Sequence, residues 1–349
     1  MIAKTFFLAE DSYRIAALRL REKLSLRDHG VGTKRKGHDA VIVVAGEALV
    51  DLVVGRDGQV DARLGGAAYN AARALARLGV EAALLERLSG DTLGTRLHDQ
   101  LTAEKVTLCL PEPSGKPCTL AVATLDSAGA ASYSFYLDAT AGPDVDYEAA
   151  KKAFPAAAAA VHVGALGLLM EPFGTAIERL VLTDVPAGAL VMLDPNCRPG
   201  AITDPKSYRE RISAIARRAD IVKASAEDLD YLYPGVSAEA AAKILQGDGA
   251  PLVLVTDGPR PARAFLSDTL LAADVPPVTV VDTIGAGDAF GGGFLAWWTA
   301  HGLGQADLVR GDLVKQALRA ATAAAALTCT RPGADPPTLA ELEARNWWP

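Results

Sequence analysis

The residues best suited to chemistry lie in Val280-Val281-Asp282-Thr283-Ile284-Gly285-Ala286-Gly287-Asp288-Ala289-Phe290, which reads as a strand end, a glycine-rich turn and the start of a long helix. Gly285, Ala286 and Gly287 can turn sharply enough for backbone N–H groups to approach an anion, while the helix adds unsatisfied donors and the positive end of its dipole. Negative charge developing on a transferring phosphoryl group is stabilised by such a turn. Asp288, in the first helical turn, is placed to accept the proton of an attacking hydroxyl. The plainer alternative is a favourable acid at a helix N-terminus above a tight turn.

A second constellation opens another helix. In Leu64-Gly65-Gly66-Ala67-Ala68-Tyr69-Asn70, Asn70 stands one turn in, on a face that can look back at the strand ends. Gly66 permits close approach of a polyol, and Asn70 can hydrogen-bond its hydroxyls. Asp51 falls just beyond the first strand, at the edge where open α/β sheets bind ligands, and a carboxylate there can accept from two neighbouring hydroxyls. In isolation, Asp51 reads equally as a turn aspartate and Asn70 as a surface helix residue.

The elements that must carry these residues follow from periodicity. Short apolar runs at Val41 to Val44, Ala82 to Leu85, Val161 to Gly164, Leu190 to Leu193, Ile221 to Lys223 and Leu252 to Val255 read as buried strands. Helical patterns separate them, at Ala67 to Leu78, Leu93 to Ala103, Thr175 to Leu182, Ser207 to Arg218, Ala238 to Gln246, Ala286 to Ala300 and Leu313 to Leu327. The expected fold is α/β, a mainly parallel sheet flanked by helices. Residues 49–64 and 117–140 break this rhythm with strands that lack helices between them, including a hairpin turning at Asp126 to Gly129, and predict a small separate sheet that can act as a lid. Residues 1–40, with a basic, glycine-punctuated stretch before Asp39, are expected to be an extension to a domain spanning 41–349.

Composition narrows the partners. With 35 basic and 42 acidic residues, the net charge of −7 offers no footprint for nucleic acid or an anionic membrane. No apolar run reaches the roughly 20 residues of a membrane span. The apolar patch Phe6-Phe7-Leu8-Ala9 is too short for a signal peptide core. Cys109, Cys118, Cys197 and Cys329 lie far apart without metal-ligand spacing, as expected of reduced thiols in the cytoplasm.

The paired motifs Gly65-Gly66-x-x-x-Asn70 and Asp282-Thr283-x-Gly285-Ala286-Gly287-Asp288, in this order and over roughly residues 40 to 340, closely resemble the two signatures of the ribokinase or phosphofructokinase-B (PfkB) carbohydrate kinases. Within that family the likeness is greatest to bacterial fructokinases and 2-keto-3-deoxygluconate kinases. It is carried by Gly46-Glu47-Ala48-Leu49-Val50-Asp51, Asp194-Pro195-Asn196-x-Arg198-Pro199 and Lys223-Ala224-Ser225-Ala226-Glu227-Asp228-Leu229.

The resemblance implies a ribokinase-like fold with a β-lid, ATP and Mg²⁺ as cosubstrates, Asp288 as base and the Gly285 to Asp288 amides as an anion hole. Asp51, Gly65, Gly66 and Asn70 carry over as sugar contacts, and Asn196, Arg198 and Lys223 as groups on the phosphate side. Val255-Thr256-Asp257-Gly258 resembles the strand end bearing the nucleotide-side glycine, although Asp257 and Pro261 depart from the family pattern. The acid that organises Mg²⁺ and its waters corresponds to either Glu227 or Asp228. Thr330-Arg331-Pro332-Gly333-Ala334 resembles a loop that holds a monovalent cation, K⁺, with Asp282. Dimerisation through the lid strands is also implied. Ribose, nucleosides and 2-keto-3-deoxygluconate remain alternative acceptors. A non-catalytic sugar or nucleotide sensor is disfavoured by the retained Asp288, and a dinucleotide dehydrogenase by the lack of Gly-x-Gly-x-x-Gly after the first strand.

Overall fold

A strand sends successive side chains to opposite faces, so strands that are apolar at every position need cover on both sides. Ile42, Val44, Leu84, Met192 and Leu254 enter one core, and their neighbours Val43, Leu85, Leu193 and Val253 enter another. The computed structural model, which describes residues 41–349 apart from 56 and 126–130, satisfies that demand with a helix, sheet and helix sandwich. The extension expected over 1–40 and the turn at 126–129 lie outside the described residues.

In chain order the elements are β1 (Ile42–Ala45), β2 (Leu49–Val54), β3 (Val60–Gly65), α1 (Ala67–Arg77), β4 (Ala82–Ser89), α2 (Thr92–Ala103), β5 (Thr107–Ser114), β6 (Leu120–Leu125), β7 (Ala131–Tyr136) and α3 (Tyr147–Ala153). Then follow β8 (Ala160–Gly164), α4 (Phe173–Thr183), β9 (Leu190–Asp194), α5 (Pro205–Ala216), β10 (Ile221–Ser225), α6 (Ala226–Leu232), α7 (Ala238–Asp248) and β11 (Leu252–Asp257). The chain finishes with β12 (Arg260–Leu266), β13 (Thr269–Ala273), α8 (Ala286–Ala300), α9 (Gly311–Thr328) and α10 (Leu339–Glu343).

The nine-stranded sheet has the order β13-β12-β11-β10-β9-β8-β1-β4-β5. It is parallel from β11 to β5, and β12 joins β11 antiparallel. From β1 the chain builds outward first through β4 and β5 and then, on the other side, through β8 to β11. The order therefore reverses between β1 and β8, and the crevice above their C-terminal ends is where such sheets hold ligands. The four-stranded sheet β3-β2-β6-β7 stands apart, with β2 and β6 parallel and the outer strands antiparallel to them.

The fold class and the small sheet agree with the sequence reading, and the differences have physical causes. The sequence does not announce the strands β5, β12 and β13 or the helices α3, α6 and α10. Pro111 and Pro113 disguise β5, which is an edge strand and tolerates them. Val280 and Val281 do not form a strand. They are 60% exposed, and the Val281 N–H bonds the Cys329 carbonyl at the end of α9 instead of a sheet neighbour.

Helix α8 lies between α1 and α9, nearly all of it buried. A Cβ on Gly292 would stand 2.9 Å from that of Ala74 on α1, and one on Gly293 would stand 3.0 Å from that of Ala324 on α9. Small residues on both sides thus allow the helices to close. Gly292→Val is expected to lower stability by about 1–3 kcal/mol through overpacking, read as a lower denaturant midpoint at unchanged slope.

Candidate active site

Closure of α1 on α8 sets the centre of the site. Asn70 lies one turn before Ala74, and Asp288 one turn before Gly292, so the same approach brings the Asn70 amide to donate to Asp288 Oδ2 at 2.9 Å. The amide of Asn196, in the loop after β9, reaches Asp288 Oδ1 at 3.5 Å. Asp288 is only 7% exposed. Burial raises its pKa, and Asn70, Lys223 and Arg198 pull it back down.

The glycine turn is shaped for an anion. Gly285 has φ 77°, a left-handed conformation closed to most residues, and caps α8. The Ala286 N–H is taken by the Thr283 carbonyl and that of Ala289 by Gly285. The amides of Gly287 and Asp288 precede the first in-helix acceptor and remain at the dipole's positive end.

Beneath that turn runs a buried ion pair. Lys223 Nζ lies 2.7 Å from Asp194 Oδ2, with the side chains 4% and 3% exposed. The ammonium also sits 3.0 Å from where a Cβ of Gly287 would be, which leaves no comfortable room for a side chain there. Lys223, expected on the nucleotide side, is thus enclosed and engaged with Asp194. Desolvation pushes Asp194 up to about 6 against the pull of Lys223. His162, on β8, is held neutral by burial and by Lys223, its pKa pushed down to about 3. A narrow cleft lined by Ala45, Ala67, His162, Gly164, Asp194 and Asn196 adjoins this cluster.

Asp51 enters from the small sheet. Its carboxylate lies against Gly65, where a Cβ would collide with it. Burial raises its pKa to about 6, Arg198 and Arg63 oppose the rise, and the field of Asp288 adds to it. Asp51 therefore lies within the electrostatic reach of Asp288. Gly66, with φ 106°, begins α1 where any Cβ would overlap the Glu47 carbonyl. Arg198 donates to the Asn196 side chain at 2.5 Å and to the Asn196 and Cys197 carbonyls at 3.1 Å, which braces the loop and leaves the rest of the guanidinium exposed.

The remaining expected residues divide. Of the two candidate acids, Glu227 is exposed and Asp228 buried. Asp228 accepts from the Cys197 amide at 2.6 Å and from the Ser225 amide at 2.8 Å, and its field reaches Lys223 and Asp194. Asp282 accepts from the Ile284 amide at 3.0 Å and the Gly333 amide at 2.8 Å, tying the turn to the 330–334 loop. Thr256 stands level with Ser225 at the same sheet edge, and Gly258, with φ 54°, turns the chain into β12. Neither is hydrogen-bonded to the carboxylate cluster.

Sequence reasoning placed Glu47 and Asp194 within motifs without a role for either, and singled out neither His162 nor the buried acid Glu86. Asp194 had a local signal, an acid closing an apolar strand run. Glu86 had none, since nothing nearby in sequence says what an acid inside β4 would meet.

Among the described residues no helix is long and apolar enough to cross a membrane. Residues 39–341 match the model of the pfkB family carbohydrate kinases. The chain is 36% identical over 269 residues to a fructokinase of Rhizobium leguminosarum bv. trifolii, covering 73% of this chain and 79% of that protein. It is 30% identical over 325 residues to a probable fructokinase-2 of Arabidopsis thaliana, covering 90% and 98%. The solved fructokinase of Xylella fastidiosa with bound ATP superposes with a TM-score of 0.79 at 28% identity, over 88% of this chain and 99% of that one. That of Vibrio cholerae O395 with fructose, ADP and calcium ion gives 0.76 at 26% identity, over the same shares.

Among the described residues the Lys223 ammonium is the buried cation that lowers the Asp288 pKa, and an opposite charge a few ångströms away lowers a carboxyl pKa by about 1 to 3 units. Lys223→Met is expected to move the acid limb of the kcat/KM profile to higher pH by a comparable amount. An unmoved limb would show that Lys223 serves the fold alone.

Proposed function

Because the chain belongs to the pfkB family of carbohydrate kinases, we propose that it transfers the γ-phosphoryl group of ATP to a hydroxyl of fructose, with Asp288 as general base. The observation that carries this reading is Asp288 itself, buried at the start of α8, held by Asn70 and facing Asp51 beside free helix amides. Asp51, Gly65, Gly66 and Asn70 form the sugar side. Asp51 accepts from sugar hydroxyls, and Asn70, whose Oδ1 is buried without a partner, has capacity for one more donor.

On the other side, the Gly287 and Asp288 amides take the charge that develops on the transferring phosphoryl oxygens, and the free edge of the Arg198 guanidinium pairs with phosphate. Asn196 steadies Asp288 and Arg198 together. Thr256 and Gly258, further along the same edge, fit the nucleotide end. Lys223 acts from below through its field. Proton removal and phosphoryl transfer proceed in line, with the hydroxyl oxygen attacking phosphorus as Asp288 accepts the hydroxyl proton and ADP leaves.

Magnesium fits this donor set as a companion of the nucleotide. Among the described residues no three His, Cys, Asp or Glu side chains group as a metal cage, which suits an ion held by phosphates and water, with Asp228 as the nearby buried acid to orient those waters. Potassium would be held by carbonyls of the 330–334 loop, whose Gly333 amide is already tied to Asp282. The edge strands β3 and β7 carry the exposed Val60, Tyr133 and Tyr136, an apolar margin suited to pairing the small sheet with that of a second copy.

ATP turnover with Mg²⁺ across fructose, 2-keto-3-deoxygluconate, ribose and adenosine tests the assignment. Fructose is expected to give the highest kcat/KM, and Asp288→Asn to lower kcat by at least about 100-fold while ATP still binds. Preference for another compound would move the acceptor, and unchanged kcat in the variant would remove the base. Since ionised Asp51 accepts from two hydroxyls at once and more strongly than the neutral acid, the fructose KM is expected to fall as pH rises through about 6. Asp51→Asn should flatten that dependence.

A further inference from the structure

The chain passes between the large and small sheets at four places: β1 to β2, β3 to α1, β5 to β6, and β7 to α3. Two buried acids, Glu47 at 2% and Glu86 at 0% exposure, meet at these crossings. Glu47 Oε1 accepts from the Ala67 amide at 2.9 Å, where α1 leaves β3, and its Oε2 accepts from the Gly167 amide at 2.9 Å, just after β8. Glu86 Oε2 accepts from the Ala48 amide at 2.5 Å, at the root of β2. A Cβ at Gly142, after β7, would lie 2.8 Å from both Glu86 Oε1 and the hydroxyl oxygen of Thr119, at the entry to β6. That hydroxyl accepts from the Gly142 amide at 3.2 Å and shares a hydrogen bond of 2.9 Å with Thr140. Three crossings therefore touch this pair of side chains, and the fourth, β5 to β6, is joined to it through Thr119 and Gly142.

The chemistry of the donors separates the two acids. Both oxygens of Glu47 receive N–H groups, one of them at the positive end of α1, so Glu47 suits the charged form. Burial pushes its pKa up to about 7, and the Ala67 and Gly167 amides and the field of Arg198 oppose that rise. Glu86 receives one N–H and lies within the field of Glu47, with the Cys118 thiol nearby, and among the described residues no cation acts on it. Two adjacent buried acids cannot both ionise cheaply, and the proton goes to the less well-served one.

We propose that Glu47, as a carboxylate, and Glu86, as a neutral acid, are positioning residues that fix the small sheet at its root and thereby hold Asp51, Gly66 and Asn70 in register for the acceptor sugar. This rests on the reading of Asp51 and Asn70 as sugar contacts. Neither acid touches substrate. Both act through the backbone they hold: Ala67 follows Gly66 and begins the turn bearing Asn70, and Ala48 lies on the same short strand entry as Asp51.

The test compares Glu47→Gln, Glu86→Gln and Asp51→Asn in the full-length protein by steady-state kinetics with fructose and ATP. Glu86→Gln replaces a neutral acid by a neutral amide whose oxygen still accepts from Ala48, so all its constants are expected within about twofold of the unmodified protein. Glu47→Gln turns one acceptor into a donor against an N–H, and the fructose KM is expected to rise at least tenfold with the ATP KM within twofold. Should that variant fold poorly, Glu47→Asp keeps the charge with a shorter reach and is expected to raise the fructose KM about threefold, again sparing ATP.

A fructose KM unchanged in either Glu47 variant, equal rises for fructose and ATP, or Glu86→Gln as damaging as Glu47→Gln would overturn the proposal. Asp51→Asn separates the two readings. If it raises the fructose KM while the Glu47 variants do not, positioning fails alone, and if it too is silent the sugar-site assignment fails with it.

Discussion

In the role proposed for Asp288, a carboxylate must be both ionised and shielded from water, and these requirements oppose each other. Enclosure raises its pKa, and Asp51 across the site, with Asp194 and Asp228 below, adds negative charge to the neighbourhood. The opposing contributions come from separate parts of the chain: the Asn70 amide from α1, the Asn196 amide and Arg198 from the loop after β9, and Lys223 from β10. Of these groups only Lys223 is a buried full positive charge. It is held by Asp194, so the adjacency of β9 and β10 is as much a part of the site as the glycine turn above it.

The packing that serves this balance is close and made of small residues. Gly292 and Gly293 let α8 touch Ala74 on one side and Ala324 on the other, while Phe294, Trp297 and Trp298 fill the space farther along the same helix. Phe294 and Trp298 stack with ring centroids 5.7 Å apart. Behind the site, Arg73 of α1 pairs with Glu104 at 2.9 Å and donates to the Ala334 carbonyl at 2.8 Å. Ala334 is the residue against which the Cβ-less Gly285 turns. The helix that delivers Asn70 thus also braces the turn that delivers Asp288, and the two sides of the reaction share one support.

The small sheet needs a different device. Asp51 sits on a strand with few neighbours in the main body, and its position depends on how the small sheet is rooted. The root is polar and buried, built from backbone amides that meet Glu47 and Glu86. A hydrogen-bonded root fixes direction more sharply than an apolar contact, because its geometry is narrow in both distance and angle.

Two glycine-bearing helix starts, an aspartate after the first strand and the alternation of apolar runs with helical stripes pointed Asp288, Asn70 and Asp51 toward the same edge of the sheet. These signals are local, since a turn that excludes Cβ and a run that must be buried leave their mark in consecutive residues. Tertiary structure alone decided that Lys223 is enclosed by Asp194, that Asp228 and not Glu227 faces the cluster, that Val280 and Val281 run outside any sheet, and that Glu86 lies in the field of Glu47. Each depends on partners that are distant along the chain. The charge of a buried group is set by whatever the fold brings against it, and no spacing in the sequence records that.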